Sequence, residues 1–174
     1  MDIDQRTFRA AGAQGLTASA LRAAFLYNFP KFSEWPADVL LPGQPLAMCV
    51  VGDVAIADVL AQTIKGHPIA GHELTVVILK VDQPASGCHL LYVSAAEIKR
   101  STALLLAVNG SAVFTVSDAM GFAESGGVAQ LIVEDNRIRL AINIASARRR
   151  RLTISSKLLS LATIVNDDRN ARVP

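Results

Sequence analysis

Apolar residues along the chain follow two periods, and the alternation between them sets out the architecture. Leu46 to Val51 is a short unbroken apolar run, the pattern of a strand buried on both faces. Gly52-Asp53 then turns the chain into a helix running to about Lys65, with Asp53 as its cap and Gly66 as the left-handed stop. Further strands are predicted over Leu74 to Val81, Cys88 to Val93 and Ala112 to Val116. Between the last two, Ser94 and Glu97 form an S-x-x-E capping box for a helix carrying Ile98, Leu104, Leu105 and Val108, and Asn109-Gly110 stops it. Upstream, Leu21, Ala24, Phe25, Asn28 and Phe29 recur on one helical face that Thr17 or Ser19 can cap. Pro30 ends this helix, because it lacks the N–H owed to Leu26 and its ring disfavours helix at Phe29. Phe32 and Trp35, which follow, are predicted to plug the base of the core.

The C-terminal third reads differently. Val128 to Glu134 and Arg137 to Ile144 are two runs separated by Asp135-Asn136, residues that tolerate the positive φ of a two-residue hairpin turn. In the second arm Ile138, Leu140, Ile142 and Ile144 alternate with Arg137, Arg139, Ala141 and Asn143, so one face is apolar and the other polar or small. After the run Arg148 to Arg151, Thr153 or Ser155 can cap a final helix bearing Leu158, Leu161, Ala162 and Val165. Together these patterns predict an α/β fold. A mainly parallel central sheet has helices on both faces, the C-terminal antiparallel hairpin adds an edge, and a final helix closes the chain.

With 174 residues, 51% of them hydrophobic but only 5% aromatic, the chain has material for one core built from Leu, Ile, Val and Ala. The expected division is a flexible lead-in over 1–16, a single domain over 17–168 and a flexible tail over 169–174. A net charge of +2 argues against nucleic acid as a partner, leaving Arg148 to Arg151 as the one concentrated basic feature. No apolar run is long enough to span a bilayer, and MDIDQRTFRAAGAQG lacks the basic start and apolar stretch of a secretory signal.

Candidate reaction chemistry fails on composition of the sites. Asp53 after the first strand stands alone, without the carboxylate cluster that a phosphorelay receiver needs to hold Mg²⁺. The sequence GDVAIA at that turn is not a dinucleotide fingerprint. His67, His72 and His89 could form a metal site only with Glu73, and Ser117-Asp118 has neither a base nor a nucleophile elbow around it. No catalytic residue, metal or cofactor is therefore expected. Cys49 and Cys88 match no C-x-x-C motif, which leaves two buried thiols or one disulfide. In parallel neighbouring strands the two would sit too far apart unless loop or register brings their Cα atoms within about 4.4 to 6.8 Å.

The blocks LRAAFLYNFPKFSEWP at Leu21 to Pro36 and GFAESGGVAQLIVEDNRIRLAINIASARRRRLTISSKLLSLATIV at Gly121 to Val165 resemble the YfiR family, as do CVVGD, CHLLYVS and VFTVSDAMGFA between them. The resemblance implies a periplasmic, non-enzymatic regulator that binds and represses a membrane-anchored diguanylate cyclase, controlling cyclic di-GMP and biofilm formation. An outer-membrane lipoprotein would relieve the repression, and a homodimer is the expected assembly. The natural signal peptide would then have been removed. Relatives with a matching cysteine pair favour the Cys49–Cys88 bridge, whereas a second pair found in some is absent around Ala123 and Gln130. Small residues such as Ala and Gly are common in those relatives where Arg150 and Arg151 stand. The expected partner surface is Arg148, Arg149, Arg150 and Arg151. A reading from another class is a periplasmic sensor of a small anion or nucleotide, with a pocket between the loop Ser117 to Gly127 and Ser155, Ser156 and Lys157 at the start of the last helix.

Overall fold

A computed structural model describes residues 18–167. The expected lead-in, Thr17 and the tail lie outside the described residues. Helix α1 (Ala18–Asn28) buries Leu21, Ala23, Phe25 and Leu26, and Ser19 lies inside it rather than capping it. A 3₁₀ turn over Phe29–Phe32 carries Pro30, and strand β1 (Ser33–Glu34) follows. The chain continues as β2 (Leu46–Val51), α2 (Val54–Ile64), β3 (Leu74–Leu79) and β4 (Leu90–Val93). Next come 3₁₀ turns Ala95–Glu97 and Lys99–Ser101, α3 (Thr102–Ala107) and β5 (Phe114–Ser117). The last third comprises β6 (Ala129–Glu134), β7 (Arg137–Ile142), α4 (Ile144–Arg149), β8 (Thr153–Ile154), α5 (Ser156–Leu159) and β9 (Ala162–Ile164).

Seven strands form one sheet in the order β3-β2-β4-β5-β6-β7-β9. The first five are parallel, β7 runs antiparallel to β6, and β9 runs parallel to β7. The alternation of side chains in the central strands divides the interior into two cores. Met48, Val50, Leu90, Tyr92, Phe114 and Val116 face Leu26, Ile56 and Leu60 of α1 and α2. Cys49, Val51, Leu91 and Val93 face Leu104 and Val108 on the other side. Both faces of β2 and β4 are thus dry, as a parallel sheet between helices requires. Phe29 stacks on Phe114 with centroids 5.0 Å apart, and the half-buried Trp35 donates from Nε1 to the His89 carbonyl at 2.9 Å, so the aromatic plug is present.

Four expectations are corrected. The hairpin turns where predicted, with Asp135 and Asn136 at φ +49° and +61°, but β9 covers β7, so the hairpin is not the sheet edge. Ile144 belongs to α4 instead of the second arm, because Asn143 ends the strand and its Oδ1 accepts from Ser146 N at 2.9 Å as a helix cap. The capping box does not form: Ser94 makes no side-chain cap bond, and only short 3₁₀ turns precede α3. The final helix is a single turn. Leu158, Leu161, Ala162 and Val165 have helical spacing, yet Thr163, Ile164 and Val165 are β-branched and β7 offers an open ladder, which Val165 N joins through the Ile142 carbonyl at 2.9 Å.

Candidate functional site

In an open parallel sheet, ligands usually bind outside the carboxyl ends of the strands where their order reverses. Here that point lies between β2 and β4, and it is filled. Gly52 has φ +87°, and a Cβ on it would stand 2.4 Å from Ser94 Oγ and 2.5 Å from Glu97 Cγ. Asp53 Oδ1 accepts from Ile56 N at 2.9 Å, so the carboxylate serves its own helix. One strand over, Asp118 Oδ1 accepts from Ala95 N at 2.8 Å and from the Tyr92 hydroxyl at 3.1 Å, and Oδ2 pairs with Arg22 at 2.9 Å. Burial, with the Asp118 carboxylate beside it, pushes the Tyr92 phenol far above its ordinary range and keeps it a donor. Ser117 Oγ accepts from Ala119 N at 3.0 Å. Ser117 and Asp118 therefore hold turns.

The three histidines do not converge. His67 is exposed, and His72 Nδ1 lies 2.7 Å from the Gln44 carbonyl. His89 is buried, with Nδ1 accepting from Ala47 N at 3.0 Å and Nε2 facing the Val39 carbonyl at 3.3 Å. That pattern needs the neutral ring protonated on Nε2, and burial lowers its pKa from 6.5. The sign follows: below pH 6.5 the unfolded chain binds a proton that the native state refuses. Stability should hold above about pH 7 and fall with acidification, by at most about 1.4 kcal/mol per pH unit, until the native ring titrates. Urea midpoints between pH 5 and 8, with His89 ring resonances followed by NMR, check this. A His89 resonance titrating near pH 6.5 would overturn it.

The arginine run is a helix end rather than a linker. Arg151 N donates to the Arg148 carbonyl at 3.0 Å and Leu152 N to the Ala147 carbonyl at 2.9 Å, the paired bonds of a Schellman cap, with Arg151 left-handed at φ +59°. The four side chains consequently diverge. Arg148 is exposed, Arg149 pairs with the buried Asp167, and Arg151 forms an exposed pair with Asp38 at 3.2 Å. Arg150 turns inward and is only 6% exposed. Its Nη1 donates to the carbonyls of Val108 at 3.0 Å and Val113 at 3.5 Å, and its Nε to Ser146 Oγ at 3.3 Å. Arg150 is therefore withdrawn from the expected partner surface. It clasps the connection between α3 and β5 to α4.

Around it lies a buried polar cluster that periodicity did not reveal. Asn143 Nδ2 donates to the Ala123 carbonyl at 2.8 Å and to Asp167, while Ser146 Oγ donates to the Gly126 carbonyl at 2.6 Å. Gln130 Oε1 accepts from Ala123 N at 3.2 Å. These bonds fix the loop 119–127. At Gly127 a Cβ would fall within 2.1 Å of the Phe122 ring, so glycine is what lets the ring lie against the backbone. Between this loop and residues 98–109 runs a groove of about 290 Å³, with Arg149 and Arg150 at one end. Ser155, Ser156 and Lys157 do not line it. Ser155 Oγ instead accepts from Lys157 N at 3.2 Å, capping the single turn of α5.

Cys49 and Cys88 are bonded, with Cα atoms 5.9 Å apart. Cys49 sits opposite Leu91 in the ladder, and Cys88 comes near because it precedes the strand, in a turn where Gly87 has φ +91° and Cys88 N bonds the Ala85 carbonyl at 3.1 Å. The loop thus removes the distance problem.

The structure is a layered α/β domain fastened by a disulfide, with a groove and a charged helix end open on its surface. The chain belongs to the YfiR/HmsC-like family, whose sequence profile matches residues 19–163. No curated protein matches it. Membership is consistent with regulation by a protein of the periplasm, and among the described residues no helix is long and apolar enough to cross a membrane.

Proposed function

We propose that this protein is a periplasmic repressor that binds the periplasmic part of a membrane-anchored diguanylate cyclase and holds it inactive, and that an outer-membrane lipoprotein competes for it. The family match over residues 19–163 carries this reading. A disulfide buried in the second core supports an oxidising compartment. Repression by binding requires the repressor to favour one arrangement of its target, so occupancy sets cyclase output. Arg148 and Arg151, both exposed, are the proposed partner rim, with Arg149 beside them; self-association as a homodimer belongs to the same proposal.

Rim charges act mainly on association rate and are screened by salt. The Arg148→Glu, Arg151→Glu double variant should capture the cyclase's periplasmic domain about tenfold more slowly at low salt, with an unchanged melting temperature. Surface plasmon resonance at two ionic strengths checks it. Unchanged association would remove the rim from the interface, and unchanged cellular cyclic di-GMP on deletion of the gene would remove the repressor reading.

A further inference from the structure

The groove beside loop 119–127 has two properties that a partner rim does not need. Its walls carry apolar side chains, Ile98, Leu105 and Leu106 on one side and Met120 and Phe122 on the other. The polar Thr102, Asn109, Thr115 and Ser125 stand beside them. Leu106 and Met120 leave 63% and 86% of their surface in solvent, so both lips present large apolar side chains. Two guanidiniums, Arg149 and Arg150, are among its lining residues, and one described carboxylate, Asp167, serves them both. The bonds of Arg150 go to two carbonyls and a hydroxyl, all neutral, and Nη2 has no partner among the described residues. The nearby carboxylate, Asp167, is engaged by Arg149 and Asn143. With one described carboxylate between two guanidiniums, an anion arriving through the groove would balance the excess positive charge.

We propose that the groove binds a medium-chain alkanoic acid, its carboxylate on Arg150 Nη2 and its chain along Leu105, Leu106, Met120 and Phe122. The size fits. A volume of about 290 Å³ is at the small end of ligand sites, which suits an acid of octanoate's size better than a larger ligand. A nucleotide or phosphate ester carries more charge than the two N–H groups of Arg150 Nη2 and an already paired Arg149 can hold. The flexible thioether of Met120 on an open lip suits a chain that varies in length. This site stands apart from capture of a cyclase, and its test is direct binding.

Sodium octanoate titrated into the oxidised protein should bind saturably at one site by calorimetry, with amide shifts in NMR confined to residues 98–109, 119–127 and the end of α4. Octan-1-ol, which lacks the charge, should bind at least about tenfold more weakly. Arg150 also holds the fold, so the groove is tested at its lips: Leu106→Glu and Met120→Glu place a like charge in the path and should each weaken octanoate about tenfold at unchanged melting temperature. Equal affinity for octan-1-ol, shifts centred elsewhere, no saturable binding up to about 10 mM, or indifference to both lip variants would each overturn the proposal.

Discussion

Replacing Cys49 and Cys88 together by alanine should lower stability by about 4 kcal/mol, the loop-entropy value for a bridge that closes about 40 residues. The bridge spans a separation of 39 in sequence and sits where the fold most needs a tie. From β3 at the sheet edge the chain must pass β2 to reach β4, and it does so through residues 80–89 with no helix to pack down. Cys88 fastens that passage to the middle of β2. Around the sulfurs lie Val51, Leu91, Val93, Leu104 and Val108, so a lone thiol would remain in a dry core. Urea unfolding with and without reductant checks the value. The reductant should move the wild-type midpoint as far as the double substitution does and leave the variant where it is. A wild-type midpoint indifferent to complete reduction would show that packing, not the bridge, holds the passage.

Much of this fold was legible because local chemistry and tertiary structure agree in its first two-thirds. Leu46 to Val51, Asp53 and Gly66 announce strand, cap and stop, and each is found in that role: Asp53 caps α2 and Gly66 has φ +70°. Asp135-Asn136 announced its turn in the same way. Legibility fails where long-range partners decide. The residues of β9 have helical spacing, and only the open ladder of β7 makes them a strand. Ser33–Glu34 pairs with Thr153–Ile154 across most of the chain, and two-residue strands leave no periodic trace. In the candidate site, the arginine run looks like a solvated linker because charge runs usually are. The available signal was spacing: Asn143 caps a helix at Ser146, and Ser146 and Arg150 are four apart on one face of it. An expectation that kept Asn143 in the strand had no helix on which to place the arginines.

Arg150→Met should therefore cost about 1 to 3 kcal/mol, the scale for leaving buried neutral acceptors without their donor, while Arg148→Ala should stay within about 0.5 kcal/mol. Methionine keeps the length of the side chain and its apolar stem, so the loss reports the guanidinium. What remains behind is two carbonyls, Val108 and Val113, and the Ser146 hydroxyl, all deprived of their donor in the interior. Burial and the neighbouring Arg149 charge lower the Arg150 pKa, with Asp167 opposing them, so keeping this cation inside already costs free energy that the hydrogen bonds offset. Arg150→Lys separates charge from geometry. An ammonium keeps the charge and can donate to the carbonyls of Val108 and Val113 from its one nitrogen, but it has no second nitrogen to reach Ser146 Oγ as Nε does, and it should recover only part of the loss. Denaturation midpoints of the three variants order these effects. Should Arg150→Met prove as mild as Arg148→Ala, the clasp between α4 and the connection from α3 to β5 adds nothing to stability. Should Arg150→Lys match the wild type, one charged nitrogen accounts for the site and the Nε bond to Ser146 adds nothing.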